Sequence, residues 1–93
     1  MRKLDVVLSG SDSVALSRES MRLQQAFVDA GYAFEINYQH GRFAQFFVEV
    51  NCCAEHFEAA LRKLAFNVEV REDVLQATKM EECHDCQTIS VAQ

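Results

Sequence analysis

Two runs of strict alternation that meet at a glycine constrain this chain more than any other feature. Ala33 to Gln39 places Phe34, Ile36 and Tyr38 on one face and Glu35, Asn37 and Gln39 on the other, the two-residue period of a half-buried strand. Phe43 to Cys52 alternates again, with Ala44, Phe46, Val48 and Val50 opposite Phe43, Gln45, Phe47 and Glu49. His40-Gly41-Arg42 supplies the turn, so the two runs predict an antiparallel hairpin. What flanks the hairpin decides the fold.

Upstream, Leu4 to Leu8 is a short apolar, β-branched run that stops at Ser9-Gly10-Ser11-Asp12-Ser13, a cluster of turn and capping residues. A strand followed by a loop is expected there. Asp12 or Ser13 can accept hydrogen bonds from the first amides of a helix in which Leu16, Ser20, Leu23, Phe27 and Ala30 recur at three- and four-residue steps. That helix runs to about Asp29, and Gly31 sits where a left-handed cap is wanted. Downstream, Asn51 or Cys52 can cap a second helix with Phe57, Ala60, Leu61 and Leu64 as its buried stripe and Glu58 four residues before Arg62. Ala65 to Val70 is the fourth strand, with Phe66, Val68 and Val70 inward. A βαββαβ order with a right-handed crossover in each half predicts a two-layer, ferredoxin-like α+β fold: a four-stranded antiparallel sheet with two helices on one face.

This domain covers residues 1–71, and 72–93 form an acidic, cysteine-bearing tail. In the tail Val74 to Lys79 suits a helical turn and Thr88 to Ala92 an added edge strand, while the MEECHDC stretch has no apolar period. No internal repeat or proline marks a second domain. At 93 residues with 49% hydrophobic content, one core of modest stability is expected, which pairing as a homodimer would help.

The formal charge of −5 is concentrated in the tail: Glu72, Asp73, Glu81, Glu82 and Asp85 against Lys79 give it −4 and leave the body at −1. Without clustered Lys and Arg, nucleic acid and anionic membranes are disfavoured as partners. The tail suits solvation or a basic protein partner. No stretch approaches the roughly 20 apolar residues of a membrane helix, and an N-terminus interrupted by Asp5 does not read as a signal peptide, so a cytoplasmic location is expected. In that compartment the four cysteines are thiols or metal ligands rather than disulfides.

Three constellations are candidates for function. Val7, Phe43 and Phe47 point to the sheet face that the helices leave open; the C-terminal segment folds over it, or it serves a dimer or a protein partner. Gly10, Ser11, Asp12 and Ser13 precede a helix whose free amides and positive dipole end suit a carboxylate or phosphate, although Asp12 would repel an anion and also fits an ordinary capped turn. Cys83 and Cys86 form a CxxC half-site for zinc, which Cys52 or Cys53 with His56 could complete; the alternative is plain thiols. His40 and His56 read as surface residues, and no nucleophile motif, paired-carboxylate site or phosphate-binding glycine loop is present.

The stretch VVLSGSDSVALSRESMRLQQAFVDAGYAFEI, followed by the hairpin and by AEHFEAALRKLAFNVEV, resembles an ACT domain over about residues 3–71. In that family the first strand ends in a Gly/Asp-containing loop and the first helix ends in a phrase like Asp29-Ala30-Gly31. This chain has Ser13-Val14-Ala15 where the family often carries Pro-Gly. The resemblance implies a non-enzymatic regulatory or adaptor module that assembles through subunit interfaces. It also implies an amino acid or similar metabolite bound near Gly10, Ser11, Asp12 and Ser13. A small protein-interaction inhibitor of phage or mobile-element type, blocking a basic partner, and a zinc-stabilised module are the alternatives.

Overall fold

A computed structural model describes residues 2–72. Six elements follow in order: β1 (Arg2–Ser9), α1 (Ser13–Ala30), β2 (Ala33–His40), β3 (Phe43–Val50), α2 (Ala54–Lys63) and β4 (Val68–Glu72). The strands form one antiparallel sheet in the order β2-β3-β1-β4, leaving β2 and β4 at the edges. Both helices pack on one face, which makes this the two-layer α+β, ferredoxin-like arrangement.

The causes are local before they are tertiary. Asp12 is extended, and its Oδ1 accepts the Ala15 N–H at 2.8 Å, which satisfies one of the amides that α1 leaves open at its start. Gly31 ends the helix at φ 79°, a left-handed conformation that costs glycine nothing sterically. Leu16, Leu23 and Phe27 then meet Leu4, Val6 and Leu8 of β1, Ala44, Phe46 and Val48 of β3, and Phe57 and Leu61 of α2, all fully or almost fully buried. Phe27 is the hub, stacked on Phe57 at 6.2 Å, edge-on to Phe46 at 6.0 Å and tilted against Phe34 at 5.3 Å. Arg22 fastens α1 to the α2–β4 connection, with its guanidinium 4.6 Å from the centre of the Phe66 ring.

Three details depart from the sequence expectation. Strand β2 slips register: Ile36 pairs with Phe46 but Tyr38 with Gln45, so Asn37 is the extra residue of a bulge and the residues after it change face. Tyr38, expected beside Phe34 and Ile36, therefore lies on the open face. Gln39 turns to the helix side, where its Nε2 donates to Ser17 Oγ at 3.4 Å. An edge strand tolerates this because it loses pairing on one side only, and Asn37 Nδ2 secures the bulge by donating to Gln45 Oε1 at 2.6 Å.

Helix α2 is capped by Cys53, not by Asn51 or Cys52, because β3 ends at Val50 and residues 51–53 are needed to turn the chain. Strand β4 starts at Val68 rather than Ala65. Ala65 is left-handed (φ 70°), and the Ala65 and Phe66 amides donate to the Arg62 and Leu61 carbonyls, so these residues finish α2. Phe66, Val68 and Val70 nevertheless point inward as expected. The expected helical turn and edge strand of the tail, with Cys83 and Cys86, lie outside the described residues.

Candidate functional site

The four strands expose one continuous face opposite the helices, and the register fixes its rows. Tyr38, Gln45, Val7 and Glu69 make one row; Glu35, Phe47, Asp5 and Arg71 the next. Ala33, Glu49 and Lys3 lie beyond the second row, and His40, Phe43 and Ser9 beyond the first. Val7 and Phe47 are half-buried by their neighbours, while Phe43 and Tyr38 remain 47% and 44% exposed. The three apolar residues expected on this face are therefore there, and the β2 bulge adds Tyr38, which alternation alone had placed on the face of Phe34 and Ile36.

Polar groups cross the same face in an ordered chain. Asn37 donates to Gln45, and Gln45 Nε2 donates in turn to Asp5 Oδ1 at 2.7 Å. Around them stand the carboxylates Asp5, Glu35, Glu49 and Glu69 and the cations Lys3 and Arg71, with Arg71 bridged to Glu69 at 3.0 Å. Four carboxylates against two cations make the face acidic. A recess of about 170 Å³ opens among Lys3, Ala33, Phe34, Glu35, Phe47 and Glu49. Metabolite pockets usually run from about 300 to 1,000 Å³, so this one suits a single side chain of a partner better than a bound small molecule.

The sheet edges are closed by different means. At β2 the bulge breaks the regular ladder a further strand would need. At β4, Glu58 Oε1 accepts the Val70 N–H at 2.8 Å and Arg62 Nε donates to the Val68 carbonyl at 3.2 Å, the two side chains themselves lying 3.3 Å apart. Their four-residue spacing reads in sequence as a helix-surface ion pair; that it clasps an edge strand emerges only from the tertiary arrangement. The outer surface of α1 carries Val14, Met21 and Val28, each at least 60% exposed. These recur every seven residues and so lie about 10.5 Å apart along the helix, as isolated side chains rather than a patch.

The loop of Gly10, Ser11, Asp12 and Ser13 is tightly built. Its Gly10 N–H donates to the Arg42 carbonyl at 2.8 Å, and a Cβ on Gly10 would stand 2.8 Å from the Leu16 backbone. Glycine is needed here for close approach to α1. With the Asp12 carboxylate on the Ala15 amide and the Asp12 carbonyl accepting from Leu16, Asp12 serves as the helix cap in the described structure.

At the opposite end of the sheet, Cys53 Sγ lies 3.0 Å from His56 Nδ1 in the first turn of α2. Cys52 and Cys53 are both buried, and Cys52 packs in the contiguous hydrophobic cluster. Burial pushes the Tyr32 phenol above its ordinary value of 10.0, and the charge interaction with neighbouring Cys52 raises it further. His40 and His56 are exposed. Among the described residues no group of three or more metal-ligating side chains converges, and no helix is long and apolar enough to cross a membrane. Compared with family models, with curated proteins and with solved structures, the chain finds no match in any of the three.

Proposed function

We propose that this chain is a non-enzymatic, ACT-like regulatory or adaptor module that works by docking the open face of its sheet onto a protein surface carrying apolar and basic side chains. The observation that supports this reading is the mixed character of the face: Val7, Phe43, Phe47 and Tyr38 interleaved with four carboxylates and two cations. Apolar side chains supply the contact area, and charge selects the partner and its orientation. Two copies stacked through this face would set acidic against acidic, so a basic partner suits it better than a second copy. Edge-to-edge assembly is opposed by the bulge at Asn37 and by the Glu58–Arg62 clasp. The metabolite-sensing version of the module is the weaker form, because Asp12 is already spent on capping α1.

Photocrosslinking from single positions in the full-length chain tests the reading. A crosslinker at Phe43 or Phe47 should give a discrete adduct with a basic protein, and one at Met21 or Val28 on α1 should give none. An adduct with the mass of two chains would make the face a homodimer interface, against the charge argument. Adducts from the helix positions alone would remove the open face from the function.

A further inference from the structure

We infer that the recess on the open face is a guanidinium subsite: it takes the side chain of an arginine on the partner protein, bonded to Glu35 and Glu49 and laid against Phe47. The inference rests on the docking face proposed above and names the group that this face selects. The shape of the recess follows from the register. Ala33 and Glu35 are open-face positions of β2 ahead of the bulge; Ala33 pairs with Glu49 and Glu35 with Phe47. The short Ala33 side chain leaves about 170 Å³ open among its longer neighbours Glu35, Phe47, Glu49 and Lys3. Phe34, which also borders the recess, packs against the core.

The carboxylates of the open face fall into two classes. Asp5 accepts from the Gln45 amide, and Glu69 holds Arg71. Among the described residues Glu35 and Glu49 have neither an ion pair nor a side-chain hydrogen bond, and these are the two that line the recess. With Lys3 as the cation of the lining, the formal charge of the recess is −1. Lys3 pairs with Glu49 from β1, the side away from β2, so it does not stand between the two carboxylates. The charge that remains uncompensated therefore lies over Ala33.

The spacing selects the cation. Glu35 and Glu49 are diagonal neighbours on adjacent strands, a relation that sets Cβ atoms about 7 Å apart, so both carboxylates can reach one group placed over Ala33. Lysine brings a compact, strongly hydrated ammonium. Arginine brings five N–H donors on a planar fork, enough to bond two carboxylates at once. Its flat cation also stacks on an aromatic ring, and Phe47, opposite Glu35 and two residues before Glu49, supplies one. The volume admits the end of one side chain rather than a whole metabolite. Free arginine would in addition carry its own carboxylate onto an acidic face, a repulsion that an arginine within a protein chain avoids.

The test titrates the full-length chain with Nα-acetyl-arginine methylamide and follows backbone amide signals by NMR. Signals of Ala33, Glu35, Phe47 and Glu49 should move and saturate together. The lysine analogue should bind about threefold more weakly or worse, and the neutral citrulline analogue should move none of them. Glu35→Gln and Glu49→Gln should each weaken the arginine probe about threefold, the size of an exposed ion pair, and together about tenfold. Lys3→Gln should tighten it, because a competing ammonium is gone, and Glu69→Gln should leave it unchanged. All four side chains are exposed, so these variants keep the fold. No saturable shift, lysine or citrulline analogues that match arginine, or a double variant that binds as the parent does would overturn the subsite. Crosslinking from Phe43, outside the recess, separates this result from the docking reading. The Glu35→Gln, Glu49→Gln variant should lose most of the adduct with a basic protein. An undiminished adduct would remove the arginine anchor and keep the docking face, whereas no adduct from the parent would remove the docking face itself. An adduct of two chains would put the arginine on a second copy and overturn the partner assignment.

Discussion

Replacing Glu58 with alanine removes the clasp that closes the β4 edge, and its cost can be worked from the contacts. The Glu58 carboxylate accepts the Val70 N–H at 2.8 Å in a partly buried setting, and a hydrogen bond to a charged group contributes about 1.5–3 kcal/mol. Its ion pair with Arg62 adds little, about 0.3–0.5 kcal/mol, because the Arg62 side chain is 57% exposed and solvent screens the pair. The expected loss is about 2 kcal/mol, a drop in melting temperature of roughly 8–16 °C for a domain of this size. Glu58→Gln keeps an acceptor for Val70 and should lose only about 1 kcal/mol. Urea denaturation of the parent and both variants, read as midpoint shifts at constant slope, measures each. Added salt should leave the difference between parent and Glu58→Ala nearly unchanged, because the dominant contact is a hydrogen bond to the backbone. A double-mutant cycle with Arg62→Ala should give coupling no larger than about 0.5 kcal/mol, each side chain holding its own backbone group. A Glu58→Ala loss below about 0.5 kcal/mol, or a Glu58→Gln loss equal to it, would refute the clasp and leave an ordinary surface ion pair.

Two further outcomes follow from the backbone and from burial. Ala65→Gly should stabilise the domain by about 0.5–1 kcal/mol, since relief of the left-handed alanine, about 1–2 kcal/mol, exceeds the entropy glycine loses on folding; a lower urea midpoint would contradict it. Tyr32 has a folded-state pKa raised above 10.0, so its contribution to stability is complete below that pH and is lost as pH rises through the folded value. Tyr32→Phe should therefore flatten the alkaline limb of stability against pH, and parallel limbs for parent and variant would rule the phenol out as its cause.

The fold was legible because its determinants are local. The hairpin turn at Gly41, the Asp12 cap and the Gly31 stop each act within a few residues, and all three form as the residue types predict. The failures lie where a tertiary neighbour overrides a period. Tyr38 continues the Phe34–Ile36 alternation in sequence, but Gln45 offers Asn37 a hydrogen bond across the sheet, and the resulting bulge moves the tyrosine to the other face. Ala65 looks like the first residue of a strand because apolar residues follow it, yet its amide completes the end of α2. Glu58 and Arg62 carry a helix-pair signature, and nothing in their spacing reveals that β4 will run alongside them. Val7, Phe43 and Phe47 were readable as a face, but the cross-strand rows that make this face acidic as well as apolar exist only once the register is set.

That register also ranks the surfaces through which the domain can act. A sheet of this kind offers two edges, one open face and the outer sides of two helices. The β2 edge is interrupted at Asn37, and two backbone groups of the β4 edge are already held by Glu58 and Arg62. The apolar side chains on the outside of α1 stand singly, a full two turns apart. On the open face, by contrast, Val7 and Phe47 flank the Asn37–Gln45–Asp5 chain within adjacent rows, so apolar area and oriented hydrogen-bonding groups occur together. A partner docking there must satisfy Gln45 and Asp5 while covering Phe43 and Tyr38. Loose hydrophobic association cannot meet that requirement, because it would leave those polar groups buried and poorly matched. The same polar chain that suits the face to water is what would make its recognition selective.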